Sequence, residues 1–147
     1  MEWQAKLRTN DIMAAVAELM SPQEIADVAA YYAAATEPLP PFAASDPALV
    51  AAGQKLAVEG RADKAIPACN NCHGPGGSGE PPAIPWLAGQ FDPYIAAQLR
   101  DWRDGTRKND GGQQMAGLAK RLDDRDIAAV AAYYQQVVTA AFSTRTR

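Results

Sequence analysis

Residues 69–73 read CNNCH and hold both cysteines and the only histidine of the 147-residue chain. Two thiols three positions apart, followed at once by an imidazole, is a pattern for covalent haem attachment: the thiols add across the vinyl groups and the histidine ligates iron. Two other chemistries use such residues. A structural zinc site takes four ligands, and this chain would have to complete the set with a carboxylate. A CxxC redox pair wants a βαβ setting, and no strand pattern is evident here. The glycine-rich stretch after the motif and a methionine further along favour haem over both.

A haem iron held by histidine on one face takes a second ligand on the other or stays open. Methionine there raises the potential and leaves no vacant position for a substrate. Met115, 42 residues after His73, lies in a glycine-rich loop ahead of the last expected helix and is the candidate thioether. Met20 falls within a helical apolar pattern and reads as core.

The elements that must position these residues are helices. Asp46 with Pro47 opens a helix to about Val58 that Gly60 ends. Asp92 with Pro93 repeats the arrangement over about 93–104. Asp123 with Asp126 resembles a capping box and opens a helix to about Thr139. Ser21, Pro22 and Glu24 do the same for a helix to about Ala35. The stretch 74–85, with four glycines among prolines, reads as loop. A hydrophobic fraction of 48 % that leans on alanine supports an all-α fold. The net charge of −3 provides no basic stripe for nucleic acid, and no apolar run is long enough to span a membrane.

The chain also repeats itself. Met13 to Tyr32 aligns without a gap to Met115 to Tyr134 at a constant offset of 102, with ten of twenty positions identical. Upstream, EWQAKLRTND (2–11) matches DWRDGTRKND (101–110) at offset 99, so that Gly111 to Gln113 is a short insertion. Met13 therefore stands where Met115 does. Between the copies, TEPLPPFAASDPA carries prolines at 38, 40, 41 and 47 and reads as a linker. The expected division is residues 1–41, the end of a first copy plus linker, and 42–147, a full second copy.

The string CNNCHGPGGSGEPPAIPWLAGQFDPYIAAQLRDWRDGTRKND, followed by MAGLAKRLDDRDIAAVAAYY, closely resembles a class I cytochrome c domain, in particular the second half of the dihaem cytochromes of the c-four type. The resemblance implies an all-α class I cytochrome c fold and one covalent haem c, with Cys69 and Cys72 as thioethers, His73 as proximal and Met115 as distal iron ligand. It also implies that the Pro85 carbonyl accepts a hydrogen bond from His73, and that Gly53 lets the first helix of the domain approach the last near Tyr133 and Tyr134. A turn proline and a tolerated helix glycine are the simpler readings of those two. Arg100, Arg103 and Arg107 are candidates for the haem propionates, or solvated charges. Trp86 and Trp102 read as packing groups.

The implied function is one-electron transfer rather than catalysis, between redox protein partners such as a terminal oxidase, a cytochrome complex or a dehydrogenase. The alternative is a cytochrome subunit of a larger dehydrogenase complex. An enzyme such as a peroxidase needs an open iron position, against which Met115 argues. A helical interaction domain without haem would follow if the chain stays in the cytoplasm. The family is periplasmic, yet no basic segment followed by an apolar one opens this sequence as a secretion signal would. The first copy has no CxxCH, which leaves Met13 a ligand without an iron. A start assigned too late, a processed fragment, or a helical arm with its own docking role each account for that. The apolar face of residues 1–41, with Ile25, Val28, Ala29 and Tyr32, is expected to favour self-association.

Overall fold

The structure is a computed structural model that describes residues 10–35 and 43–137. The linker prolines 38, 40 and 41 and the expected end of the last helix near Thr139 lie outside the described residues. Among the described residues seven α-helices follow in order: α1 (Asp11–Leu19), α2 (Pro22–Ala34), α3 (Pro47–Glu59), α4 (Asn70–His73), α5 (Asp92–Arg103), α6 (Gln114–Ala119) and α7 (Asp124–Gln136). Among the described residues there are no strands beyond two isolated bridges, and no helix is long and apolar enough to cross a membrane.

The caps explain where the helices begin. Asp46 accepts from Ala48 N at 2.9 Å and starts α3, which Gly60 ends with φ +74°. Ser21/Glu24 and Asp123/Asp126 both close as reciprocal capping boxes. Asp92 departs from expectation. It is the first residue of α5 rather than its cap, and its N–H donates to Gln135 Oε1 at 2.9 Å, so a side chain of α7 supplies the acceptor. α4 and α6 are too short to carry a readable period; the apolar pattern around Met20 does belong to a helix, α1, but Met20 itself is the extended C-cap of that helix and is half-buried rather than core.

The core is a face of α7 held between α3 and α5. Ile127, Val130, Ala131 and Tyr134 recur at the helical spacing and pack with Leu56 and Ala57 of α3 and Ile95, Ala96 and Leu99 of α5. α3 meets α7 backbone to backbone at Gly53, where an added Cβ would lie 2.0 Å from the Ala129 carbonyl oxygen and 2.8 Å from Tyr133 Cβ. Gly53 is thus required by the crossing, as the resemblance implied, and is no merely tolerated glycine.

Charge ties the same helix to the segment after α3. Asp126, only 7 % exposed, accepts from Arg61 at 2.9 Å and Lys64 at 2.5 Å, and Lys64 also reaches Asp123 at 2.6 Å. Burial pushes the Asp126 carboxyl up, but the bonds from Lys64 and Arg61 outweigh it and hold the group below its ordinary value. The Lys64 ammonium brings Asp123 down to about 2.

α1 and α2 are built differently. Only Ala17 is buried in them, while Ile12, Val16, Leu19, Val28, Tyr31 and Tyr32 are exposed. Of the apolar face named from the sequence, Val28, Ala29 and Tyr32 are exposed and Ile25 is half-buried.

Gly53→Ala is expected to destabilise the fold by about 3 kcal/mol in thermal or urea unfolding, because overpacking against a carbonyl exceeds the roughly 1 kcal/mol that alanine gains in a helix. Unchanged stability would show that the helices part without cost. The depressed carboxyls of Asp123 and Asp126 contribute stability that is present above pH about 4 and drains away as the pH falls toward about 2. Asp126→Asn is expected to cost about 2 kcal/mol at neutral pH and to flatten the melting temperature across that acid window.

Candidate functional site

The CNNCH segment folds as a single tight turn. Cys69 caps α4, and its carbonyl accepts from Cys72 N at 3.2 Å and His73 N at 2.9 Å. Three-residue spacing on such a turn places both sulfurs on one side. Both thiols are free; Cys69 is half-buried and Cys72 exposed. Burial pushes the Cys69 thiol up to about 11, so it stays protonated at neutral pH. Gly74, with φ +73°, turns the chain out of α4, and Gly79 N then bonds back to the His73 carbonyl at 2.7 Å.

His73 is 6 % exposed, and its Nδ1 lies 2.9 Å from the Pro85 carbonyl oxygen. A carbonyl only accepts, so Nδ1 carries the proton and Nε2 keeps its lone pair. Burial depresses the imidazole's affinity for a second proton, with the Pro85 bond opposing it in part. A neutral ring with a fixed tautomer and a free Nε2 is what a metal ligand needs. The hydrogen bond implied for Pro85 is therefore present.

Met115 is the second residue of α6 rather than part of a loop. The helix is set by Gln113 in the left-handed region (φ +50°) and by Asp110 Oδ2, which accepts from Ala116 N at 3.0 Å. Met115 is half-buried and packs on the same core cluster as Cys69, Leu87 and Trp102. Met13, its counterpart in the repeat, is 45 % exposed on α1.

The arginines divide. Arg103 bonds Asp124 at 2.9 Å and Asp104 at 3.2 Å, and Arg100 stands 3.6 Å from Asp124, so both are engaged with carboxylates, one of them at the start of α7. Arg107 donates to Gln98 at 2.9 Å and Asn109 at 2.6 Å, and its guanidinium lies 3.8 Å from the centre of the Trp102 ring. The polar group that sequence reasoning missed is on Trp102 itself. Its Nε1 is the one buried side-chain nitrogen or oxygen among the described residues without a hydrogen-bond partner. Indole nitrogens carry no distinguishing mark in a sequence; only burial without a partner exposes the demand.

These residues fit a haem. The two free thiols share a turn with an imidazole whose Nε2 is available, a thioether packs on the same cluster, and an orphaned indole N–H beside a guanidinium suits an acidic group such as a propionate. A zinc site fits less well: among the described residues no three His, Cys, Asp or Glu side chains converge to hold a metal ion. The open groove of about 570 Å³ lined by Lys55, Glu59, Arg61 and Arg125 contains none of the predicted site residues.

Comparison with known proteins agrees. The family model described as Cytochrome c matches residues 50–137. Cytochrome c4 of Azotobacter vinelandii is 42 % identical over 125 residues, covering 84 % of this chain and 58 % of the relative. The thiosulfate dehydrogenase electron acceptor of Stutzerimonas stutzeri (strain A1501) is 40 % identical over 138 residues, covering 92 % of this chain and 63 % of that protein. The crystal structure of reduced recombinant cytochrome c4 from Pseudomonas stutzeri superposes with a TM-score of 0.77 at 38 % identity, covering 89 % of this chain and 68 % of that one. The chain thus spans roughly three-fifths of the length of these two curated relatives. An all-α architecture, a CxxCH turn with its histidine tautomer fixed, and a family match over most of the second repeat place this chain in the cytochrome c family, whose members carry covalent haem c.

Proposed function

We propose that the chain is a one-electron carrier holding a single haem c, attached through thioethers at Cys69 and Cys72, with His73 Nε2 and Met115 Sδ as the axial ligands. When bound, the haem supplies an iron that alternates between the ferric and ferrous states. The protein's own residues supply the rest. The Pro85 carbonyl holds the Nδ1 proton and so keeps Nε2 basic and oriented. Leu87, Leu118 and Trp102, which pack on the same core cluster as Met115, exclude water from it. The Trp102 Nε1 proton is offered to a propionate. Two axial ligands leave no position for a substrate, which favours an electron carrier over an enzyme. The observation that carries the reading is the His73–Pro85 bond, because it turns a five-residue motif into a ligand with one defined tautomer.

Residues 42–147 are read as the haem domain, and residues 1–41 as the end of a preceding copy of the repeat. The ten identities at offset 102 and the greater length of the relatives support this. On that reading Met13 occupies a ligand position whose iron is not bound by the described residues. The periplasm is the expected compartment by family resemblance, with redox proteins as donor and acceptor. A second reading, a cytochrome subunit or acceptor of a dehydrogenase, is favoured by the similarity to a protein named a thiosulfate dehydrogenase electron acceptor. Co-purification of a larger catalytic subunit separates the two.

The intact mass of the chain, produced with a haem-attachment system, is expected to equal the polypeptide plus one haem that resists acid extraction. Loss of the haem into the extract would refute the thioethers. Met115→Ala is expected to lower the midpoint potential and open the iron to carbon monoxide and cyanide in optical titrations. A spectrum and potential identical to those of the parent would remove Met115 from the ligand set.

A further inference from the structure

The turn that carries both cysteines and His73 cannot hold itself in place. α4 is four residues long and has no side chain capping its N-terminus, and a helix of that length has no stability of its own. The bond from His73 to Pro85 fixes one end. At the other end the Tyr134 hydroxyl donates to Asn70 Oδ1 at 2.8 Å, and Asn70 is the first residue of the turn.

Tyr134 also fixes the far side of the His73–Pro85 bond. It is completely buried, and its ring lies so close to Gly77 that a Cβ there would be 2.6 Å from Tyr134 Cε1. The Gly77 carbonyl accepts from Leu87 N at 2.8 Å and Ala88 N at 3.2 Å, and the Tyr134 carbonyl accepts from Gly89 N at 2.8 Å. Those three amides belong to the segment that begins at Pro85. One residue of α7 therefore grips the turn that bears the imidazole and the loop that bears its hydrogen-bond acceptor.

We infer that Tyr134, through Asn70, is a positioning residue for His73: it sets the register of the attachment turn against the Pro85 loop, and with it the orientation of the imidazole plane toward the metal. The inference rests on the haem reading above. Filling the core needs only the ring, and the neighbouring Tyr133 does so at a ring separation of 5.1 Å without bonding to the turn among the described residues.

The test uses the haem-loaded full chain in its oxidised form. Proton NMR resolves the haem methyl and histidine ring resonances, whose spread reports the imidazole plane, and a redox titration gives the midpoint potential. Y134F and N70A are expected to displace the haem methyl pattern in the same way, and the double variant to displace it no further than either single change. N70D keeps an acceptor oxygen and is expected to restore the parent pattern. Y133F is expected to leave it alone. Asn70 is half-exposed, so N70A carries the comparison even where Y134F folds poorly. Parent-like patterns and potentials in loaded Y134F and N70A, even with a lowered melting temperature, overturn the inference, as do displacements that simply add. A parent chain that takes up no haem overturns the functional reading as well, which tells the two failures apart.

Discussion

The contact on which the rest of the structure depends is the approach of α3 to α7 at Gly53. With no side chain there, the Ala129 carbonyl can sit where a Cβ would be, and the two helices share one interface instead of merely neighbouring each other. That closeness brings Leu56 and Ala57 onto the apolar face of α7 and leaves the opposite flank of that face for Ile95, Ala96 and Leu99. α7 is consequently central three times over. It is the most buried helix, it anchors the Arg61–Lys64 segment through Asp126, and it supplies Gln135 to start α5 and Tyr134 to hold the attachment turn.

Electrostatics follow the same geometry. The buried carboxylate of Asp126 faces two cations, while the more exposed Asp124 draws Arg103 and Arg100 from α5. Both sets sit at the N-terminus of α7, where the helix dipole also favours negative charge. The arginines that a propionate would have recruited are thus partly committed to holding helices together, and the unsatisfied donor falls to an indole.

Much of this was legible from residue types and spacing. The CxxCH pattern, the two capping boxes, the Asp46–Pro47 helix start and the stop at Gly60 each rest on local rules, and local rules survive folding. The role of Gly53 was reachable only through family resemblance, since a glycine in an alanine-rich helix looks the same whether or not a carbonyl presses against it. Asp92 was misread as a cap because a side chain from elsewhere in the chain had taken the acceptor's place. Met115 was expected in a loop because six residues are too few to show a helical period. Trp102 Nε1 and the Tyr134–Asn70 bond are properties of partners, 64 positions apart in the second case, and no window along the sequence contains them.

The long reach of α7 has a consequence for the order in which the protein is made. The contacts of Tyr134 with Asn70 and of Ala129 with Gly53 join parts of the chain separated by 64 and 76 positions, and α7 is the last helix described. A chain emerging from its N-terminal end presents CNNCH well before the element that buries and braces it exists. Until α7 docks, the two thiols and the imidazole remain on an unbraced turn, open to whatever machinery joins them to a prosthetic group. Docking of α7 then braces the turn through Tyr134.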